Sequence, residues 1–326
     1  IDSAASIAIG TDADKPIDID ASTLSIDASD NTNITVTGVG KTLDIDASGA
    51  LTIDSNTSIA IGTDADKPID IDASTLSIDA SGALTIDSAA SIAIGTNADK
   101  PIDIDASTLS IDASDNTNIT VTGAGKTLDI DAEGALTIDS AASIAIGTDA
   151  DKPIDIDAST LSIDASDNTN ITVTGAGKTL DIDAEGALTI DSAASIAIGT
   201  DADKPIDIDA STLSIDASDN TNITVTGAGK TLDIDAEGAL TIDSAASIAI
   251  GTDADKPIDI DASTLSIDAS DNTNITVTGV GKTLDIDASG ALTIDSAASI
   301  AIGTDADKPI DIDASTLSID ASDTLI

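Results

Sequence analysis

Repetition limits what this chain can fold into more than any other feature. A unit opening Ile-Asp-Ser starts at Ile1 and again at Ile53, Ile86, Ile138, Ile190, Ile242 and Ile294. The spacing is 52 residues, except that unit 53–85 has 33, and the last copy breaks off at Ile326. The stretch SIAIGTDADKPIDIDASTLSIDAS, first seen from Ser6, returns six more times with one change, Asn97. Tandem units of this kind stack on their neighbours and bury one continuous core between them.

Inside the unit, apolar and polar residues alternate: SIAI, IDID, LSID, ITVT, LDID, LTID. Period two is the pattern of a half-buried strand, and no stretch carries the i, i+3, i+4, i+7 stripe of a helix. The clusters TDADKP, ASDNTN, TGVGK and ASGA separate the runs and read as turns. Pro16 sits just before a strand, where a missing N–H does least harm. The expectation is an all-β chain with essentially no helix.

The apolar pairs suggest a finer period. Ile17/Ile19, Ile34/Val36, Leu51/Ile53 and Ile69/Ile71 recur at steps of about 17 residues. Leu24/Ile26, Leu43/Ile45, Ile59/Ile61 and Leu76/Ile78 interleave with them. The unit then divides into three coils of about 17 residues, each with two strands and two turns. The short unit lacks the stretch equivalent to Asp30 through Ser48, and on this division it has lost one whole coil. Strands stacked coil on coil make an elongated β-solenoid, with Ile, Leu and Val inward, Asp, Ser and Thr outward, and Ala21, Ala28 and Ala47 at tight corners. A single-chain solenoid would hold roughly 19 coils rising on the order of 90 Å. A fibre of three intertwined chains would be about three times longer. Four large aliphatics per coil make a thin core, which favours a homotrimer, intertwined or side by side.

Composition narrows function. Aromatic residues, Cys, Met and His are absent, so the core is aliphatic and disulfides hold nothing together. Yet 41% of residues are apolar, too many for an acidic disordered tail. A net charge of −48 argues against nucleic acid and anionic membrane surfaces as partners. It favours solubility and attracts cations. No apolar run reaches the ~20 residues of a membrane span, and no signal peptide is read. The chain starts and stops inside its repeat, as a fragment of something longer would.

The phrases SIAIGTDADKPIDID, STLSIDAS and GALTIDS resemble the repetitive shafts of bacteriophage and other viral tail fibres. The likeness runs along essentially the whole chain. It implies a homotrimeric, β-structured, extracellular fibre on a virion. SIAIGTDA, Ser6 to Ala13, is also similar to the Ser-x-Ala-x-Gly head repeats of trimeric autotransporter adhesins. Those repeat at about fourteen residues, a spacing this chain does not keep.

Catalysis has little to work with. General bases are limited to carboxylates and Lys. Aspartate pairs such as Asp18/Asp20 and Asp44/Asp46 recur from unit to unit, which makes them a periodic surface rather than a singular concave site. Metal binding is the better candidate. Stacked coils place like Asp side chains about 4.8 Å apart, costing roughly 1 kcal/mol per contact in bulk water. A hard cation such as calcium would relieve this. The candidate ligands are Asp12 and Asp14 in TDADK, and Asp27, Asp30, Asn31 and Asn33 in DASDNTN, with their repeat equivalents. Lys15 and Lys41 are placed for local ion pairs of little energetic consequence. Asn33-Ile-Thr is a glycosylation sequon, repeated at Asn118, Asn170, Asn222 and Asn274, with a further one at Asn56. Thr35 and Thr37 echo an ice-binding Thr-x-Thr row but fall on one coil in three. TGAGKT around Gly125 and Gly177 lacks the first glycine of a phosphate-binding loop and is followed by a strand. The function expected is that of a fibre shaft giving reach and stiffness, not an enzyme, with self as partner and receptor binding outside this region. The alternative is a bacterial surface or secreted adhesive filament with calcium-stabilised coils.

Overall fold

A computed structural model describes residues 1–11, 17–36, 42–63, 68–96, 102–121, 128–148, 154–167, 169–173, 180–200, 206–225, 232–252, 258–277, 284–304, 310–322, 324 and 325. The chain divides into two compact units, Ile1–Ser166 and Asp167–Ile326. Each is a β-solenoid of parallel strands, and among the described residues there is no helix.

In the first unit, Ile17–Ala21 pairs with residues 43–47, which pair in turn with residues 69–73. Leu24–Ala28 pairs with 51–55, and those with 76–80. Ile7–Thr11 pairs with Asn31–Val36, and that strand with Ser58–Thr63. One turn of the chain therefore carries Ile17 to Leu43 and the next carries Leu43 to Ile69, and each coil has three strands on three faces. This corrects the expectation of two strands in a coil of about 17 residues, a division drawn from apolar spacing alone. The 52-residue unit is two coils, not three. The reason is physical: every strand has the same apolar–polar–apolar signature, so alternation alone cannot separate two strands per coil from three. Segment identity does separate them, because IDIDASTLSIDA stacks on LDIDASGALTIDS with Ile over Leu and Asp over Asp. A coil closed within one chain is the single-chain version of the solenoid, not the intertwined one. The second unit repeats the pattern, for example Leu180–Ser192 on Ile206–Ala217 and Thr221–Val225 on Ile248–Thr252.

The short interval does not remove one coil. Residues 69–73 pair on one side with 43–47, an IDID-type strand, and on the other with Ile92–Thr96, an IAIGT strand. Residues 76–80 pair onward with 102–106 of the next IDIDA strand. Ser58–Thr63 pairs onward with 83–88, an LTIDS strand. Every face changes its strand class at this point. The missing stretch amounts to two strands of a three-strand coil, so the pattern turns by one face while the hydrogen-bonded ladder continues.

Alternation does the folding. Inward residues such as Leu128, Ile130, Leu136, Ile138, Ile144 and Ile146 are fully buried, while the Asp residues between them face water. Burying such a side chain contributes about 1.5–3 kcal/mol. Six large aliphatics per coil replace the four expected, so one chain fills its own core. Corners alternate in length between coils: Ala210-Ser-Thr212 in one lies against Ala184-Glu-Gly-Ala187 in the next, with a bulge absorbing the extra residue. The long corner needs glycine. A Cβ on Gly134 would lie 2.7 Å from the Ser107 carbonyl oxygen of the coil beneath.

Candidate functional site

The surface consists of rows, one residue per coil. On the face of Ile17–Ala21, Asp18, Asp44 and Asp70 form one row and Asp20, Asp46 and Asp72 a second, because period two points both aspartates of IDID outward. On the neighbouring face Asp2, Asp27, Asp54 and Asp79 continue into Asp105. Among the described residues the third face carries no carboxylate up to the short interval: its outward residues are Ala8 and Gly10, Asn33 and Thr35, Ala60 and Gly62. Beyond the interval it carries Asp87, Asp112 and Asp139.

These rows hold like charges together at a largely exposed, slightly desolvated surface. Burial first, then Asp70, Asp18, Asp46 and Asp20, raises the Asp44 carboxyl above its ordinary range. Asp72 is raised by burial, Asp46 and Asp70, against a backbone hydrogen bond from Ala73 that lowers it. On the third face Asp112 is raised by burial, Asp139 and Asp87. The second unit repeats this at Asp216, Asp259, Asp268 and Asp285, each raised by burial and by aspartates of its own coil or its neighbours.

The described metal candidates take separate places along the coil. Asp12 and Asp14 lie outside the described residues. Asp27 stands in its Asp row on one face. Asp30 follows the next corner, where its carbonyl accepts a hydrogen bond from the Ser55 hydroxyl. Asn31 accepts one from Ser58 Oγ at 2.6 Å, and Asn33 accepts one from the Thr35 hydroxyl. Later copies show the same use: Asn116 Nδ2 donates to Asp115 Oδ1 at 3.0 Å, and Asn116 Oδ1 accepts from the Ser143 amide at 3.3 Å. The Asp-Asn pair holds a corner to the coil above it. Among the described residues, no three His, Cys, Asp or Glu form a metal-holding group.

The sequon asparagines Asn33, Asn118, Asn170, Asn222 and Asn274 are exposed on uncharged strands, as is Asn56 at a corner. Thr120 Oγ1 donates to Asn118 Oδ1 at 3.1 Å. Thr37, all three TGAGKT copies and all twelve lysines, Lys15 and Lys41 included, lie outside the described residues. Thr35 recurs on every second coil, with Gly10 and Gly62 between, so no continuous threonine row forms.

Two buried polar rows were not foreseen. Ser140, Ser192 and Ser244 are 1% exposed, and each hydroxyl donates to a carbonyl of the coil beneath, at Asp115, Asp167 and Asp219. Each also accepts the amide two residues on, as at Ala142 N, 3.3 Å away. The signal was present: LTIDS places a serine at an inward position where LSIDA has alanine. Thr32, Thr117, Thr169, Thr221 and Thr273 are equally buried, with hydroxyls that find no partner.

No family model, curated protein or solved structure matches this chain.

Proposed function

We propose that this chain is a structural shaft, giving reach and stiffness to a virion tail fibre or similar extracellular appendage, with receptor recognition residing in other parts of the assembly. The observation that supports this reading is the sameness of the coils. In each unit parallel strands stack coil on coil over aliphatic columns, with outward rows that keep their residue classes on either side of the short interval. A surface that repeats every one or two coils multiplies length rather than a site. The resemblance of SIAIGTDADKPIDID and GALTIDS to tail-fibre shafts supports the virion setting and a homotrimer. With each coil closed in one chain, that trimer is side by side.

Electron microscopy of the recombinant chain with zero, two and four added 52-residue units tests the reading. The expected particles lengthen by a constant increment at constant width, about 10 Å for each two-coil unit of a single-chain solenoid. Particles that thicken, or keep their length, sink it. Sedimentation should give a three-chain particle.

The Asp rows favour a second reading, an adhesive filament whose coils are held by calcium. Calcium should then raise the melting temperature well above that in chelator. A melting curve identical in the two, at matched ionic strength, removes it.

A further inference from the structure

We propose that the short interval is a phase junction, and that this chain can gain and lose length by strands that do not complete a coil. The evidence lies in what stacks on what. Up to the interval like stacks on like: Leu43 on Ile17, Leu51 on Leu24, Ile59 on Thr32. At the interval all three faces change class at once, with Ile92 on Ile69, Ile102 on Leu76 and Leu84 on Ile59. Beyond it like stacks on like again, with Thr117 on Ile92, Leu128 on Ile102 and Leu136 on Leu109.

The ladder survives because each strand offers its neighbour the same thing: two inward aliphatics or their equivalent, and a parallel edge. Register therefore needs only that inward positions meet inward positions. Ile69 and Ile92 remain buried on either side of the change. One further condition is met at the junction. Its corner passes over the Asn56-Thr57 corner, and a Cβ at Gly82 would overlap the Thr57 carbonyl oxygen. The junction keeps the glycine of a GALTIDS strand at that crossing. The consequence is on the surface. One side of the first unit shows paired aspartates as far as Asp70 and Asp72, then Ala93 and Gly95, then Asn118 and Thr120. A low-complexity solenoid thus changes the chemistry along one side without changing its strands.

If this is right, removing the segment 115–133 should install a second junction. That deletion joins Ser114 to Gly134, the same Ser-Gly joint as Ser81-Gly82, and takes out the same two strand classes. In the shortened chain Leu136 should stack on Ile92, bringing Thr137 beside Ala93. In the parent these lie on different faces, Ala93 against Asp70 and Asn118, and Thr137 against Ser110 and Ser162. The test is the variant pair Ala93→Cys and Thr137→Cys, oxidised in the parent and in the deletion chain. A disulfide needs Cα atoms about 4.4–6.8 Å apart, which adjacent parallel strands satisfy. The expected result is a β-type circular dichroism spectrum for both, melting within about 5 °C of each other, and a 93–137 disulfide in the deletion chain alone. Deleting the whole unit 138–189, which leaves the phase unchanged, is the folding control. The proposal is overturned if this control folds and the chain lacking 115–133 does not, or if the latter folds without forming the disulfide.

Discussion

At the residue scale, two positions break the local rules and can be tested against each other. Thr117 and Thr221 occupy an inward position where the coils on either side place Ile, and their hydroxyls are buried without a partner. Leaving such a group unsatisfied costs about 1–3 kcal/mol. Thr117→Val and Thr221→Val keep the shape and remove the cost. Each should raise stability by roughly 1 kcal/mol, read as a higher urea midpoint at unchanged slope; a lowered midpoint would mean that the hydroxyl is satisfied. Glycine gives the opposite contrast. At Gly134 an added methyl meets backbone oxygen at 2.7 Å and Thr108 Cγ2 at 3.1 Å, and at Gly303 it meets nothing within 4 Å. Gly134→Ala should cost on the order of 1–3 kcal/mol through forced separation of two coils. Gly303→Ala should be neutral or stabilise by about 0.4–1 kcal/mol, by restricting the unfolded chain. Equal effects at the two sites would refute the close approach at the long corner.

At the element scale, some of the fold was legible in the sequence and some was hidden. Strand existence and face were plain, because IDID and LTID can bury their aliphatics only in extended backbone with Asp outward. Coil closure was not, since a period of two says nothing about how many strands complete a turn. Every pairing of apolar doublets looked equally good, and a unit that divides into three short coils divides as readily into two longer ones. The deciding signal was finer: Ala-Ser-Thr-Leu76 and Ala-Ser-Gly-Ala-Leu51 are the same corner in two lengths, stacked on successive coils. Alternating corners also explain why the chain repeats at two coils. The candidate ligands in DASDNTN were legible as polar and turn-forming. Their use was not, because Asp30 and Asn31 meet Ser55 and Ser58 of the next coil, and such partners emerge only once the coil length is known.

At the scale of the whole molecule, the rows of aspartate make stability depend on pH in an unusual direction. Asp44, Asp72, Asp112, Asp216, Asp259, Asp268 and Asp285 are all raised in the folded chain, by burial first and then by neighbouring carboxylates. An unfolded Asp titrates near pH 3.9, about its reference value. Between that value and the raised one, the folded chain holds more protons than the unfolded chain, so stability falls as pH rises through the window. The penalty is fully present above the folded values and absent below the unfolded one. Acidification from pH 7 toward about 4 should therefore raise the melting temperature, where many proteins begin to lose stability. Below about pH 4 the carboxylate contribution should level off. Salt separates this cause from others. Raising ionic strength from about 0.1 M to 1 M shortens the screening length from about 10 Å to 3 Å, below the spacing of stacked coils. At pH 7 that should stabilise the solenoid, and near pH 4, where the raised aspartates carry less charge, the same salt step should do less. Melting curves on a grid of pH and salt would decide the matter: a melting temperature that falls steadily with acid, or a salt effect equal at both pH values, would show that the aspartate rows do not govern the stability of this chain.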